Sequence, residues 1–252
     1  MIVTTSWDDG DPADLRIADL LEKYGLSGTF YIPRSAPNVT LSPAQIRGLS
    51  SRFEIGAHTL DHVVLTRTDE ETARSEIVQS KAWIEDVTGS ACVMFCPPQG
   101  RFKKEHVRMV GQAGYLGMRT VELFSTERPR RSGGIFVMPT SMQVFPHRHT
   151  AIMRNLVKRY SFVNLLRYFC LYSSGEWLRT AEAFIRHVSA GGGLFHIWGH
   201  SWEIEQLNLW SRLEELLSFI SSWSGSCSSA TNGDCVQMAA LKHHRRIQRC
   251  VY

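Results

Sequence analysis

Short apolar runs alternate with amphipathic helical patterns along most of this 252-residue chain, and that alternation limits the folds open to it. Each run has the length of a strand, and the stretch after it shows the helical spacing of apolar residues. Strands and helices in repeated alternation form a parallel sheet with crossover helices on its faces. We therefore expect an α/β protein, and the shortness of the runs favours a barrel over a broad open sheet.

The pattern predicts seven strands and seven helices. The strands are expected at 1–7, 27–33, 53–59, 91–98, 115–122, 133–140 and 193–201. The helices are expected at 12–25, 42–52, 68–89, 103–114, 175–192, 204–223 and 234–246. Thr68 is expected to cap the third helix, because three acids follow it in the first turn. Residues 125–160 are expected to form a long insertion or loop region.

Composition and charge are those of an ordinary globular protein, with 43% hydrophobic and 21% charged residues. Lys and Arg number 28 against 24 Asp and Glu, so the formal charge of +4 does not require a nucleic-acid or membrane partner. The basic clusters at 128–131 and 242–246 are short and are interpreted as solvated surface. The longest apolar stretch, 162–172, is interrupted by Asn164 and Arg167, and it falls short of the ~20 residues of a membrane span.

The beginning of the chain shows no export signal, because it lacks a basic region and a long apolar core before the first strand. We therefore expect a cytoplasmic protein. The six cysteines form no CxxC pair, and without an export signal they are expected as free thiols. Residues 1–252 are expected to form one domain, with the oligomeric state left open.

Four polar clusters fall at predicted strand ends. They are Asp8 with Asp9, the stretch 58–62, the stretch 96–100 and the stretch 198–201. The carboxyl ends of parallel strands meet at one rim of a barrel, where active sites lie. Adjacent carboxylates repel each other unless a cation or a proton is shared, although Asp-Asp-Gly alone is also ordinary turn chemistry. The coincidence of four clusters favours a functional rim.

His58 and His62 are spaced four residues apart. If the chain turns into a helix after the third strand, both imidazoles lie on one face and can bind one metal ion. Asp9 would complete a set of two histidines and one carboxylate that leaves positions open for water and substrate. Asp8 could then take a proton from metal-bound water.

The motifs that form these clusters resemble those of a known family. SWDDG at 6–10 resembles the TFDDG motif of the polysaccharide deacetylases, the NodB homology domain of carbohydrate esterase family four. HTLDH at 58–62 resembles that family's H(S/T)xxH, and FCPPQG at 95–100 resembles its RPPYG. LFHIWGHS at 194–201 resembles the late strand that carries the family's catalytic histidine. The resemblance covers roughly residues 3 to 220.

The resemblance implies a fold, a metal and a set of residue roles. The fold is a distorted (β/α) barrel of about seven parallel strands in a single catalytic domain, and the usual metal is zinc. Asp8 resembles the general base and His200 the general acid, while the backbone N–H of Gln99 resembles the group that holds the oxyanion. The implied metal ligands are Asp9, His58 and His62, and the implied substrate-binding residues are Gln99, Pro98 and Trp198.

The third motif departs from the family, because Cys96 stands where relatives have an arginine that holds the base carboxylate. Arg119, Arg101 and Arg34 all lie near predicted strand ends and are candidates to replace it. Cys96 itself is expected to be an inert, buried residue.

Three further residues have two interpretations each. Glu122 is either the acid that orients the catalytic histidine or a surface glutamate. His196 is either a hydrogen-bonded core histidine, which we favour, or the catalytic one. Trp202 flanks the rim together with Trp7 and Trp198, where such rings either stack on a sugar or pack the barrel mouth.

The implied activity is a metal-dependent hydrolase that removes an acyl group, acetyl above all, from an N-acyl amino sugar or glycan. One alternative is an amidohydrolase or deformylase of the same superfamily that acts on a small non-sugar amide, since the FCPPQG loop is nonstandard. The other is a catalytically impaired carbohydrate-binding homologue, indicated only by the missing arginine. No nucleic-acid partner and no transmembrane segment are expected.

Overall fold

The fold is described from a computed structural model of the chain. The structure describes residues 1–158, 161–172, 176–223, 225 and 227–250.

Within the described residues, ten strands belong to one curled, mostly parallel sheet. They are β1 Ile2–Asp8, β2 Gly28–Ile32, β3 Glu54–Ala57, β4 Met94–Phe95, β5 Gly117–Arg119, β6 Arg130–Ser132, β7 Ile135–Met138, β8 Met142–Gln143, β9 Leu194–Gly199 and β10 Ser228–Ser229.

Ten α-helices connect or follow these strands in the same described ranges. They are α1 Asp14–Lys23, α2 Pro43–Ser50, α3 Glu70–Thr88, α4 Lys104–Gln112, α5 His149–Lys158, α6 Phe162–Leu171, α7 Trp177–Gly191, α8 Ser201–Gln206, α9 Trp210–Ser221 and α10 Asn232–Cys250. Short 3-10 turns lie at Leu65–Arg67 and Pro98–Gly100.

The strand order is β6-β7-β5-β4-β3-β2-β1-β9-β8, and β10 pairs with the beginning of β1. Every pairing is parallel except that of β6 with β7. The sheet is curled but its path of paired strands ends at β6 and β8. The expected fold class is therefore confirmed, with a half-barrel in place of a closed ring of seven strands.

The central strand β1 separates two environments. Val3 and Trp7 pack in the large apolar core with helices α1 and α9. The alternate positions Thr4, Ser6 and Asp8 are equally buried, and each has a polar partner on the other side of the sheet. This period of two orients Asp8 toward the concave face.

The register of the sheet brings the strand ends to one level. Trp7 pairs with Gly199, so Asp8 and His200 leave neighbouring strands side by side. On the other side of β1, Ala57 pairs with both Ile32 and Phe95, which brings the chain after β3 and the chain after β4 to the same rim.

Four details of the sequence prediction are wrong. Residues 125–160 are not a long loop, because they contain β6, β7, β8 and α5. The helix predicted at 204–223 is two helices, α8 and α9, since Asn208 between them has a left-handed φ of 50°. Asp69, not Thr68, caps α3 by accepting a hydrogen bond from the Thr72 N–H. The stretch 58–62 is a turn and not a helix.

Two expectations about the whole chain can be compared with the described residues. Their five cysteines are unpaired thiols, and the side chain of Cys250 lies outside the description. None of the described helices has the length and the apolar character that crossing a membrane requires.

Candidate active site

The carboxyl ends of the strands border one cavity of about 970 Å³. Seven of the residues singled out above as base, acid, ligands or substrate contacts line it: Asp8, Asp9, His58, His62, Gln99, Trp198 and His200. The topology therefore brings together groups that lie up to 192 positions apart in the chain, as Asp8 and His200 show.

Asp9 is the centre of the first cluster in this cavity. Its Oδ1 lies 3.1 Å from His62 Nε2 and 3.4 Å from His58 Nε2. Although the distances are short, this buried oxygen makes no hydrogen bond of acceptable geometry with any described residue. Asp9 has a left-handed φ of 80°, which turns its side chain away from the path of β1.

The donor set at Asp9 fits a divalent metal ion. His58 Nδ1 lies 2.7 Å from the Cys96 carbonyl oxygen, which can only accept, so Nδ1 carries the proton and Nε2 has a free lone pair. That lone pair faces a carboxylate oxygen, and both groups then need a cation between them. Two imidazoles and one carboxylate are a usual protein set for zinc, and a carbonyl behind a histidine ligand is the usual way to fix its ring.

Electrostatics keeps Asp9 ionised. Burial by itself raises its pKa, but the two imidazoles, with a further contribution from His200, lower the pKa well below the usual value of an aspartate. The ligand atoms of Asp9, His58 and His62 all lie within 4.8 Å of one another. These residues are therefore the ones that would hold a metal here.

The turn at 58–62 positions its two histidines through backbone geometry. Thr59 and His62 have left-handed φ values of 58° and 53°. Glu76 on α3 accepts the backbone N–H groups of both Leu60 and Asp61 at 2.9 Å, which fixes the turn to the helix behind it. The imidazoles converge on Asp9 for this reason and not because a helix presents them on one face.

The second cluster is a buried ion pair between Asp8 and Arg119. Arg119 is fully buried and donates a hydrogen bond from Nη2 to Asp8 Oδ1. Its guanidinium lies 4.6 Å from the centre of the Trp198 ring and 5.2 Å from that of Tyr31, a favourable stack for a cation. Burial lowers the pKa of Arg119, but the negative charge of Asp8 outweighs it and raises that pKa.

Arg119 is therefore the arginine that contacts the Asp8 carboxylate. Arg101 is exposed at the edge of the cavity, and Arg34 is engaged by Asp61 at 2.7 Å. Both are excluded as partners of Asp8 by these positions. The position taken by Cys96 in the third motif leaves room for a cation that arrives from β5 instead.

The third cluster joins His200 to an acid that the sequence interpretation missed. His200 Nδ1 donates to Glu203 Oε2 at 2.6 Å, and Nε2 lies 3.9 Å from Asp9 Oδ2. Burial lowers the pKa of His200, but the hydrogen bond to Glu203 and the charges of Asp8 and Asp9 outweigh it and raise the pKa to about 9. His200 is a cation near neutral pH in this geometry.

Glu203 takes the position beside His200 that was considered for Glu122. Glu122 is buried but faces another way, accepting hydrogen bonds from Asn164 at 3.0 Å and from Arg130. Both of its interpretations, orienting acid and surface glutamate, are therefore wrong. The available signal was the spacing of Glu203, three residues after His200 at a helix start, which brings the two side chains together.

Comparison with known proteins relates part of this chain to a family. Residues 1–118 match the sequence profile of the family described as polysaccharide deacetylase. The N-terminal part of the chain, a little under half of its length, is therefore similar to the polysaccharide deacetylases.

Curated relatives of this family match only part of the chain. The chain is similar to the peptidoglycan-N-acetylglucosamine deacetylase PgdA of Listeria monocytogenes, with 24% identity over 112 residues. The match covers 43% of this chain and 24% of the relative, so the chain spans about a quarter of that relative's length.

Solved structures share the fold over nearly the whole chain. A Mycobacterium smegmatis protein assigned to the polysaccharide deacetylases has 16% identity and a TM-score of 0.68, over 98% of this chain and 91% of its own. A family 4 acetyl xylan esterase from Clostridium thermocellum, solved with a cobalt ion, has 17% identity and a TM-score of 0.57, over 94% and 91%. At such identities the likeness establishes the fold.

The residue that departs from the family's third motif is inert by its environment. Burial raises the pKa of the Cys96 thiol well above its usual value, and the neighbouring Asp8 raises it further. Its Sγ lies 3.9 Å from Asp8 Oδ2, so the protonated thiol is a weak donor to that carboxylate. Cys96, Asp8 and His58 also form a compact set of metal-type ligands. That set lacks a thiolate, and its carboxylate is already paired with Arg119.

The family's substrate-binding positions differ in how far they reach the cavity. Gln99 is exposed in the 3-10 turn with a left-handed φ of 58°, and it lines the cavity, whereas Pro98 is buried. Trp202 donates from Nε1 to Asp9 Oδ2 at 2.9 Å. Trp198 also lines the cavity, and its buried Nε1–H has no hydrogen-bond partner among the described residues.

His196 is the hydrogen-bonded core histidine that we favoured. It is fully buried, with Nδ1 on the Pro139 carbonyl at 3.1 Å and Nε2 on the Ser6 hydroxyl at 2.9 Å. Burial, assisted by the charge of Arg119, lowers its pKa to about 3. The ring is neutral at neutral pH.

Proposed function

We propose that the protein is a metal-dependent hydrolase that removes an acyl group, in particular acetyl, from the nitrogen of an amino sugar or glycan. The single observation that carries the proposal is the position of Asp9 Oδ1, which lies 3.1 and 3.4 Å from two imidazole nitrogens. This oxygen is buried and makes no hydrogen bond with the described part of the chain. The proposed base Asp8 precedes it in the chain, and the proposed acid His200 lies across it.

The first step uses the buried pair of Asp8 and Arg119. A divalent ion held by Asp9, His58 and His62 would supply Lewis acidity, lowering the pKa of a water to about 7 and polarising the substrate carbonyl. Asp8 takes a proton from the attacking water as its oxygen bonds to the carbonyl carbon. Arg119 fixes the orientation of Asp8 through its hydrogen bond.

The second step uses His200. As the carbon–nitrogen bond breaks, His200 gives its proton from Nε2 to the departing nitrogen, because an amine leaves only when it is protonated. The hydrogen bond from Nδ1 to Glu203 keeps Nε2 directed toward the cavity and stabilises the imidazolium. The products are a carboxylic acid and a free amine.

Negative charge that develops on the carbonyl oxygen needs a donor. The N–H of Gln99 lies in a turn that lines the cavity. Because the backbone of Gln99 is left-handed, this N–H is not committed to a helical hydrogen bond and is available to a substrate. A preorganised N–H of this kind stabilises an oxyanion without reorganisation during the reaction.

The size and the walls of the cavity favour a sugar over a small amide. Its volume of about 970 Å³ is several times that of a formamide or a short linear amide. Trp198 and Trp202 supply rings beside the metal ligands, which suits the apolar face of a pyranose. The curated relative's name, a peptidoglycan-N-acetylglucosamine deacetylase, agrees with this substrate class. The presence of Arg119 on Asp8 argues against a catalytically impaired homologue.

Metal content and substrate choice test the proposal together. Purified protein offered zinc should hold one equivalent, and His58→Ala should lose it, whereas His187→Ala, an exposed histidine on α7, should not. The loaded protein should release acetate from N-acetylglucosamine oligomers faster than from small amides. Wild-type protein that binds no divalent ion, or that prefers small amides, would overturn the corresponding half of the proposal.

A further inference from the structure

Helix α6 buries polar side chains while it exposes several large apolar ones. Asn164 is buried and donates to Glu122, and Arg167 is half-buried and donates to the Phe124 carbonyl at 2.7 Å. Tyr168 packs in the core on the same side, but four other large apolar residues of the helix point outward. Their exposed fractions are 70% for Phe162, 58% for Val163, 52% for Leu166 and 67% for Phe169.

This exposed face, defined by Phe162, Val163, Leu166 and Phe169, is the apolar face of α6. Val157 at the end of α5 is also 58% exposed, so the apolar surface continues onto the neighbouring helix. Single exposed apolar residues need no explanation, but five large ones on two packed helices do. The helix is anchored by Asn164, Arg167 and Tyr168, and it leaves its apolar face available to a partner.

The charge of the longer stretch that contains both helices indicates the chemistry of that partner. Residues 128–175 contain eight Lys and Arg and no Asp or Glu. The rest of the chain has 20 Lys and Arg against 24 Asp and Glu, so the whole positive excess of the protein lies in this segment. The described side chains of Arg148, Arg154 and Lys158 are exposed on or just before α5.

We propose that α5 and α6 form a membrane-surface element that binds an anionic phospholipid bilayer. Phe and Leu on one face with Lys and Arg beside them are typical of helices that lie in the interface, where rings enter the acyl boundary and cations meet phosphate groups. A second protein would need its own acidic, apolar surface, whereas a bilayer supplies both features together.

The element borders the candidate active site. Arg154 and Lys158 of α5 line the cavity, and α6 is held by hydrogen bonds to Glu122 and to Phe124, near the cavity residues Val121 and Leu123. Binding through α6 therefore brings the cavity close to the lipid surface. Acyl amino sugars carried at that surface become the substrates within reach.

Vesicle co-sedimentation tests the proposal without using activity. The full chain should bind vesicles of phosphatidylglycerol and phosphatidylcholine in equal parts, bind pure phosphatidylcholine weakly, and lose binding as salt is raised. Phe162→Ser/Phe169→Ser should lower the partition coefficient on anionic vesicles by about tenfold or more. Val39→Ser/Val78→Ser, which removes two exposed valines elsewhere, should leave it unchanged.

Three results would overturn the proposal. They are no binding to anionic vesicles at low salt, equal loss in the two double variants, and a wild-type dimer that the Phe162→Ser/Phe169→Ser variant dissociates while vesicle binding stays. The last would make the apolar face of α6 a self-association surface. Urea unfolding of each variant checks that the serines leave the fold intact.

Discussion

The two sides of the cavity control charge in opposite ways. On one side, Asp8 and Arg119 form a pair whose side chains are 4% and 0% exposed, held between β1 and β5. On the other side, His200 and Glu203 are 18% and 14% exposed and belong to the short turn into α8. The first pair contains a guanidinium, whose pKa is raised further by the negative charge beside it, and the second contains an imidazole that titrates.

This difference matches what each side is proposed to do. A base must be fixed in place before it takes a proton from the attacking water, and the hydrogen bond from a buried guanidinium provides that. The general acid His200 must hold a proton and then release it. Its partner Glu203 therefore has to raise the pKa of His200 while the imidazole can still exchange protons with solvent. The comparison teaches that both sides use a charged partner, but only one of them is a switch.

The sharpest way to break the comparison is to neutralise each of the adjacent aspartates. Asp8→Asn should keep the metal and lower turnover by about 10²–10⁴-fold, since a positioned base contributes that much. Asp9→Asn should instead lower metal occupancy, because one of three protein ligands is impaired. Elemental analysis and acetate release measure the two quantities separately. Equal loss of metal in both variants would make Asp8 a ligand and remove the distinction.

Removal of Arg119 tests how much stability the buried side holds. Arg119→Met leaves Asp8 as an unpaired charge in the interior and should lower the free energy of unfolding by about 3–5 kcal/mol. Arg101→Met, at the exposed edge of the same cavity, should change it by less than about 0.5 kcal/mol. Urea unfolding at constant pH measures both. A cost for Arg119→Met as small as that of Arg101→Met would show that the pair is not structural.

The pH dependence of stability extends the comparison to His196 on β9, which lies four residues before His200. His196 has a pKa of about 3 in the folded protein and ~6.5 when unfolded, so below pH 6.5 the unfolded chain binds the extra proton. Its stabilising contribution is complete above pH 6.5 and is lost as the pH falls toward 3. The free energy of unfolding should therefore fall by about 2 kcal/mol between pH 6.5 and 5 on this account.

His196→Gln provides the control for that prediction. Its stability at neutral pH will be lower because two buried hydrogen bonds change, but its decline between pH 6.5 and 5 should be shallower than in the wild type. An identical slope in both proteins would assign the acid sensitivity to other groups.

The smallest effect should come from the switchable side. The acid must be protonated, so the rate falls as the pH rises through the pKa of His200, and Glu203→Gln removes a charge that raises this pKa. The alkaline limb of the rate profile should move down by about one pH unit. A metal ion on Asp9 offsets part of the negative charge, so the wild-type limb itself should lie below 9. A profile that does not move would exclude Glu203 as the partner that sets it.

The site was predictable where the chemistry lies in local motifs. Asp8, Asp9, His58, His62 and His200 were all placed at strand ends by short patterns, and the topology alone brings such ends together. The helix expected at 58–62 was still wrong. The turn that replaces it depends on left-handed residues and on the hydrogen bonds to Glu76, and neither gives a periodic pattern in the sequence.

The partners of those residues were harder to predict. Arg119 was one of three candidates, and only the curl of the sheet decides which strand end reaches Asp8. Glu203 was missed because the pattern extended a single helix over 204–223, which hid the short helix that carries it. The region 125–160 was hard to interpret because its strands β6, β7 and β8 are only two to four residues long, too short for a periodic pattern to show.

The left-handed backbone of the site has a consequence for how such a protein would respond to selection. Asp9, Thr59, His62 and Gln99 are four of the six non-glycine residues with positive φ in the described chain, and each such conformation costs about 1 kcal/mol that glycine would not. A laboratory selection for heat resistance alone would favour glycine at all four positions. At Gln99 the N–H would survive the exchange, but at Asp9 and His62 the proposed ligands would vanish. Selection for stability without a screen for turnover would thus remove the proposed metal ligands first, while His200 and Glu203 would remain in place.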